Sequence, residues 1–239
     1  MLFDLGGTLF SYAGGAQMGR SIFKTARSIG LDAEPREIGL AWRAASESVM
    51  REFSQRDYFL HRDLFLETLA TFASGFNASV SDEIAEKFHE LQLAAVVDHL
   101  PIREDCLETL RTLKARGMYL AIVSNIDDDY LDPLVEKHGL DSVLDHWTSS
   151  EEAQSCKPHT DIYHYALKKA GLDVEEALFV GDSLQHDIAG ASAAGLRSAR
   201  IIEEGVSTPL TSGLEITAQP DFEINELAQL IGLVESINE

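Results

Sequence analysis

The sequence predicts an α/β fold: a doubly wound parallel sheet with an all-helical domain inserted after its first strand. Three observations carry this expectation. A short apolar strand at residues 1–4 ends in an aspartate. Residues 16–98 then place apolar side chains at helical spacing throughout. Beyond Pro101, short apolar runs bounded by turn residues alternate with amphipathic helices, the pattern of a parallel sheet.

The elements follow in order. The first strand is short for a central strand and runs into the turn Gly6-Gly7-Thr8. Helices are expected at 16–29, 34–55, 59–76 and 81–97, punctuated by Gly30, by residues 77–79 and by Pro101. Ser81 followed by Asp82 and Glu83 suits a helix start, where the dipole favours acidic side chains. Next come a helix at 104–116, a buried strand at 119–124, a helix at 129–138 and a strand at 146–149. A helix at 160–170, a strand at 177–180, a helix at 187–194 and a strand at 198–202 continue the alternation. A strand at 221–224 and a C-terminal helix close it. The expected domains are a catalytic core formed by 1–15 and 99–239, and a helical domain at 16–98. Gly14-Gly15 is a candidate hinge between them.

Composition narrows the function classes. A formal net charge of -21 repels nucleic acid and anionic membranes, so neither is an expected partner. No apolar run is long enough to span a bilayer, and residues 1–7 lack a basic signal region. Two cysteines, Cys106 and Cys156, make no disulfide framework, so a reducing cytoplasm is the expected compartment.

In parallel sheets ligands sit beyond the carboxyl ends of the strands, and four polar clusters follow strands here. They are Asp4; Ser124 with Asn125; Lys157; and Asp182-Ser183 with Asp187 behind them. One such aspartate is commonly a turn or helix cap. Four together describe a chemistry. A carboxylate can attack phosphorus and form an aspartyl phosphate. Two carboxylates repel each other and repel phosphate, so a divalent cation is needed between them. Magnesium suits such oxygen ligands, with Asp4 and Asp182 as candidates. A lysine and a hydroxyl then hold the remaining phosphoryl oxygens.

These residues carry a resemblance. The stretch MLFDLGGTL is similar to the first motif of the haloacid dehalogenase (HAD) superfamily, a strand followed by DxDGT. Val123-Ser124-Asn125 resembles the second motif. Lys157-Pro158 with Ile162-Tyr163 resembles the KPxxxIF form of the third. Gly181-Asp182-Ser183, Asp187 and Gly190-Ala191 resemble the fourth, GDSxxDxxGA. The resemblance implies a Rossmann-like core with a helical cap of the C1 type, the cap closing over the site. It implies Asp4 as nucleophile and metal ligand, with the Gly6 carbonyl and Asp182 as further ligands. Asp187 is expected to hold the metal's water shell or to orient Lys157. Catalysis is assigned to Asp4, Ser124 and Lys157. Substrate contacts are assigned to Ser124, Asn125, Lys157 and Arg62. The implied activity is a magnesium-dependent phosphatase of a small phosphorylated metabolite, acting as a monomer or homodimer.

One position departs from the pattern. The family's phosphatases carry a second aspartate two residues after the nucleophile, which protonates the leaving group and activates water. Here that residue is Gly6. Two alternatives follow. One is a metal-independent 2-haloacid dehalogenase. The other is a HAD-fold phosphate-binding protein with weak or lost turnover. The retained Asp182 favours metal and phosphate. If Gly6 is present for a left-handed backbone, the loop will not admit a side chain there.

Other residues have bland readings beside functional ones. Asp127, Asp128 and Asp129 suit an acidic helix start, with Asp127 the candidate substitute proton donor. His186 is expected on a helix flank and Cys156 as a passive thiol. Arg20, Lys24, His61 and Arg62 are candidate substrate contacts on the helical domain, Arg62 having aromatic neighbours in Tyr58, Phe59 and Phe65.

Overall fold

In the computed structural model the described residues are 1–14, 16–206 and 217–237. Their strands form a six-stranded, fully parallel sheet. The strands are β1 (Leu2–Phe3), β2 (Ala121–Ser124), β3 (His146–Ser149), β4 (Leu178–Gly181), β5 (Arg197–Ile201) and β6 (Phe222–Ile224). Their order is β3-β2-β1-β4-β5-β6. The chain therefore builds outward from β1 in one direction, returns, and builds outward in the other. The reversal beside β1 is the switch point at which such sheets bind ligands.

The register decides what lies there. Phe3 pairs with Ile122 on one side and with Val180 on the other. Asp4, Ser124 and Asp182 therefore emerge at the same end of the sheet. All residues of β1, β2 and β4 are buried. That explains their unbroken apolar runs, since strands covered on both faces do not alternate.

The helices of this unit are α5 (Cys106–Ala115), α6 (Asp128–Lys137), α7 (Ser150–Ala153), α8 (Thr160–Ala170), α9 (Ala189–Ala193) and α10 (Gln229–Ile237). Ile162, Tyr163, Ala166 and Leu167 of α8 pack in one core with Leu2, Ala121, Val123 and Phe179 of the sheet. Burying those side chains contributes about 1.5–3 kcal/mol for each large one.

The residues group into two compact units, one formed by 1–13 with the described residues from Pro101 onward, the other by 14–100. The second contains α1 (Ala16–Ser28), α2 (Pro35–Phe53), α3 (His61–Ser74) and α4 (Asp82–His99). Pro35 opens α2, where its missing N–H costs nothing. The Ser81 hydroxyl accepts from the Ile84 amide at 3.4 Å and caps α4. Ile22, Ile38, Leu69, Phe72 and Phe88 form the core of this unit. Trp42 sits with its ring 5.6 Å from both Phe72 and Phe88.

Several details differ from expectation. The first strand is confined to Leu2–Phe3, because Asp4 already turns toward the strand ends. The helix expected at 187–194 begins earlier, as a π-helical turn over Leu184–Ile188 that runs into α9. The short α7 had no periodicity by which to be read; its Ser149 hydroxyl accepts from the Glu152 amide at 2.8 Å. Gly15 of the candidate hinge lies outside the described residues. No described helix is long and apolar enough to cross a membrane.

Candidate active site

Asp4 is held at the end of β1 by its amide, which donates to the Val180 carbonyl at 2.8 Å. Its carboxylate is buried, only 7% of the residue being exposed. Oδ1 accepts from Lys157 Nζ at 2.6 Å and from Ser124 Oγ at 3.2 Å. Thr8 Oγ1 lies 3.5 Å from Oδ2, a weak contact.

Lys157 reaches this point from the segment between α7 and α8. Its ammonium also donates to Asp187 Oδ1 at 2.6 Å. Its backbone is clamped by Asn125, whose Nδ2 donates to the Lys157 carbonyl at 2.8 Å and whose Oδ1 accepts from the Lys157 amide at 2.6 Å. Asn125, expected as a substrate contact, thus also positions the lysine backbone. Asp187 is fixed in turn by the Ser183 amide, which donates to Oδ2 at 2.9 Å. The π-helical turn is what points Asp187 back at Lys157; π turns recur at functional sites.

Two glycines let carboxylates approach. Gly7 has φ +80, and a Cβ on it would lie 2.8 Å from Asp182 Oδ1. A side chain there is excluded twice, by backbone strain and by the carboxylate. A Cβ on Gly181 would collide with the Asp187 carboxylate. As a result, oxygens of Asp4, Asp182 and Asp187 lie within 4.8 Å of one another.

The electrostatics follow from burial. Desolvation raises the Asp4 pKa; the adjacent Lys157 pulls it down and Asp187 pushes it up, and the net direction is upward. For Lys157, burial works against the ammonium, yet the charges of Asp187 and Asp4 outweigh it and its pKa rises. Lys157 pairs with two carboxylates, Asp4 and Asp187, and Asp182 brings a third to within 4.8 Å of them. A divalent cation would offset the repulsion within such a group. The donors on offer are hard oxygens, which suit magnesium. The residues present therefore fit such an ion.

Three residues here escaped the sequence reading. Arg103 Nη2 donates to the Gly7 carbonyl at 2.9 Å and to Glu203 Oε2 at 3.0 Å, so it buttresses the turn after Asp4. Glu203 Oε1 accepts from Ser11 Oγ at 2.6 Å and ties the same turn down again. Tyr12 opens a 3-10 turn over Tyr12–Gly14 and brings its phenol against Gly6. None had a local signal, since each acts through a loop that folds back.

Other expectations are placed as follows. Asp127 is buried at the N-cap of α6, outside the group of three converging carboxylates. Asp128 and Asp129 occupy the first turn of that helix. His186 is half-buried on the π-helical turn, its amide donating to Ser183 Oγ at 3.1 Å. Cys156 and Cys106 are buried thiols, not disulfide-bonded, and burial pushes the Cys106 pKa up to about 12. Arg62 lies half-buried in the first turn of α3, within the helical unit; Arg20 and Lys24 are exposed on α1 and His61 is buried. Gly6 is not in the left-handed backbone region, which corrects that explanation of its presence.

A buried carboxylate at a strand end, paired with a lysine and joined by two further carboxylates, defines a hydrolytic centre of the haloacid dehalogenase type. The family model for haloacid dehalogenase-like hydrolases matches residues 1–195. The chain belongs to that family. It is similar to the ribulose-1,5-bisphosphate 5-phosphatase of Halopiger xanaduensis, with 27% identity over 98% of both chains. It is also similar to (S)-2-haloacid dehalogenase 4A of Burkholderia cepacia, with 27% identity over 85% of this chain and 83% of that one. Among solved structures, L-2-haloacid dehalogenase from Xanthobacter autotrophicus superposes with a TM-score of 0.71 at 24% identity, covering 99% of this chain and 98% of that one. That last likeness is one of fold.

Proposed function

We propose that this hydrolase is a magnesium-dependent phosphatase acting on a small phosphorylated metabolite through an aspartyl phosphate on Asp4. The observation that carries the reading is the convergence of Asp4, Asp182 and Asp187 against one lysine. Halide displacement itself needs no metal-holding carboxylates, whereas a divalent cation that helps phosphoryl transfer needs such oxygen ligands. The full-length likeness to a sugar bisphosphate phosphatase supports the same reading.

In this mechanism Asp4 and Asp182, with the Gly6 carbonyl, would hold the ion, which would supply charge neutralisation for the phosphoryl group. An Asp4 carboxylate oxygen attacks phosphorus, and the bond to the leaving oxygen breaks with its electron pair going to that oxygen. Lys157 steadies Asp4 before attack and the phosphoryl oxygens during it. Ser124 donates to the transferred group. Asp187 keeps Lys157 in place and charged. Water then attacks the aspartyl phosphate, releasing inorganic phosphate and restoring the Asp4 carboxylate.

The second reading, a 2-haloacid dehalogenase, is favoured by Gly6, because halide leaves without a proton, and by the similarity to the Burkholderia enzyme. One experiment separates them: phosphate esters and 2-haloacids are assayed side by side, with magnesium and with chelator. Phosphate release that chelator abolishes supports the phosphatase. Halide release indifferent to chelator replaces it. The same panel run on Arg62→Ala tests the proposal that Arg62 helps choose the substrate. An unchanged preference removes it.

A further inference from the structure

The space beside Gly6 is already filled. A Cβ built on Gly6 would meet the hydroxyl of Tyr12 and would lie 2.8 Å from ring carbon Cζ and 3.2 Å from Cε1. The phenol thus occupies the place where a side chain at position 6 would begin. The loop after the nucleophile brings it there. Leu9 and Phe10 amides donate to the Leu5 carbonyl at 2.9 Å each, and the Gly7 amide donates to Phe10 at 2.7 Å. The Ser11 amide then donates to the Pro101 carbonyl at 2.9 Å, which fixes the start of the turn carrying Tyr12. Gly6 is a glycine because Tyr12 leaves it no room, and Tyr12 has room because residue 6 is a glycine.

We propose that Tyr12 takes over part of the work of the missing side chain, its hydroxyl donating a hydrogen bond to the leaving-group oxygen of the substrate. This rests on the phosphatase reading of the site. The geometry supports it: the phenol packs against Gly6, two residues after Asp4, on the loop that leads out of β1. A phenol hydroxyl is a hydrogen-bond donor. As the P–O bond breaks, the electron pair on the leaving oxygen is stabilised by the Tyr12 O–H, and solvent supplies the proton that completes the alcohol. Help of this kind matters most for basic leaving groups and least for a nitrophenolate.

The test compares glycerol 3-phosphate with p-nitrophenyl phosphate, both with magnesium. Tyr12→Phe keeps the ring and removes the donor. Its kcat/KM on glycerol 3-phosphate is expected to fall about ten- to a hundredfold, and on p-nitrophenyl phosphate by less than about threefold. Equal losses on both esters, or none on either, overturn the proposal. A wild-type protein that hydrolyses neither ester fails the phosphatase reading itself, and the role of Tyr12 falls with it. A second arm probes the shared space. Gly6→Asp alone is expected to lose activity on both esters, because the new side chain strikes the ring. Adding Tyr12→Ala is expected to restore alkyl ester hydrolysis at least about tenfold over Gly6→Asp. A double variant no better than Gly6→Asp overturns the shared space.

Discussion

The sheet unit and the helical unit place their charges in opposite ways. In the helical unit the ionic contacts lie in water: Arg43 with Glu47 and Arg56 with Glu52 are both i,i+4 pairs on exposed flanks of or just beyond α2. Its main core around Trp42 is aromatic and aliphatic. In the sheet unit the central ionic contact is interior, with Lys157, Asp4 and Asp187 all nearly inaccessible. Buried ions carry a desolvation cost that a surface pair avoids. A fold tolerates that cost where chemistry requires it. The comparison teaches that charge in one unit lies in solvent, and in the other is buried at the proposed site despite its desolvation cost.

The largest expected effect tests that conclusion directly. Asp4→Asn removes the proposed nucleophile and one of the two carboxylates that share the Lys157 ammonium. Turnover should fall by at least about 10⁴-fold, while the melting temperature in chelator rises, because burial already disfavours the Asp4 carboxylate. A lower melting temperature would show that the cluster stabilises the fold, and the contrast between the units would collapse.

In the helical unit the large effect should come from packing. Phe72 is 2% exposed and meets the rings of Trp42 and Phe76 at 5.6 and 5.4 Å. Phe72→Ala is expected to cost about 3–5 kcal/mol in denaturant unfolding. A cost below about 1 kcal/mol would mean that this core collapses around the cavity.

A smaller effect concerns pH in the sheet unit. His146 on β3 is buried, and burial, with the Lys169 charge, lowers its pKa from 6.5 to about 4. Its Nδ1 lies 2.9 Å from the Tyr119 hydroxyl. The folded state resists protonation more than the unfolded chain does. Stability from this site is therefore complete above pH 6.5 and drains away as pH falls toward about 4. The loss should be on the order of 2 kcal/mol, and His146→Gln should flatten it. Identical pH profiles for wild type and variant would refute the burial argument. The smallest effect is Arg43→Ala, expected to change unfolding by no more than about 0.5 kcal/mol. A larger change would mean that surface pairs do stabilise the helical unit.

Much of the architecture was legible because it is written locally. The buried strands β2 and β4 announce themselves as apolar runs, and Ser124 and Asp182 follow from where those runs stop. The helices of the second unit were legible from spacing, and their ends shifted by only a few residues. The π-helical turn over Leu184–Ile188 was not legible, since its geometry depends on the Asp187 carboxylate reaching the Ser183 amide and Lys157. Asn125 was legible as a candidate site residue, but its hold on the Lys157 backbone was not.

The sequence by itself determined which residues end strands, that four separate polar clusters, one of them a lysine, were available, and that position 6 carries no acid. Local burial patterns and motif spacing suffice for that, because both are properties of consecutive residues. Tertiary structure alone decided that Lys157 bridges Asp4 and Asp187, that Arg103 props the Gly7 carbonyl, and that Tyr12 fills the space beside Gly6. Lys157 and Asp4 are 153 positions apart. Nothing local couples such residues; they meet because parallel pairing of β1 with β2 and β4 brings three strand ends to one place, and because a loop only a few residues long folds back over its own nucleophile.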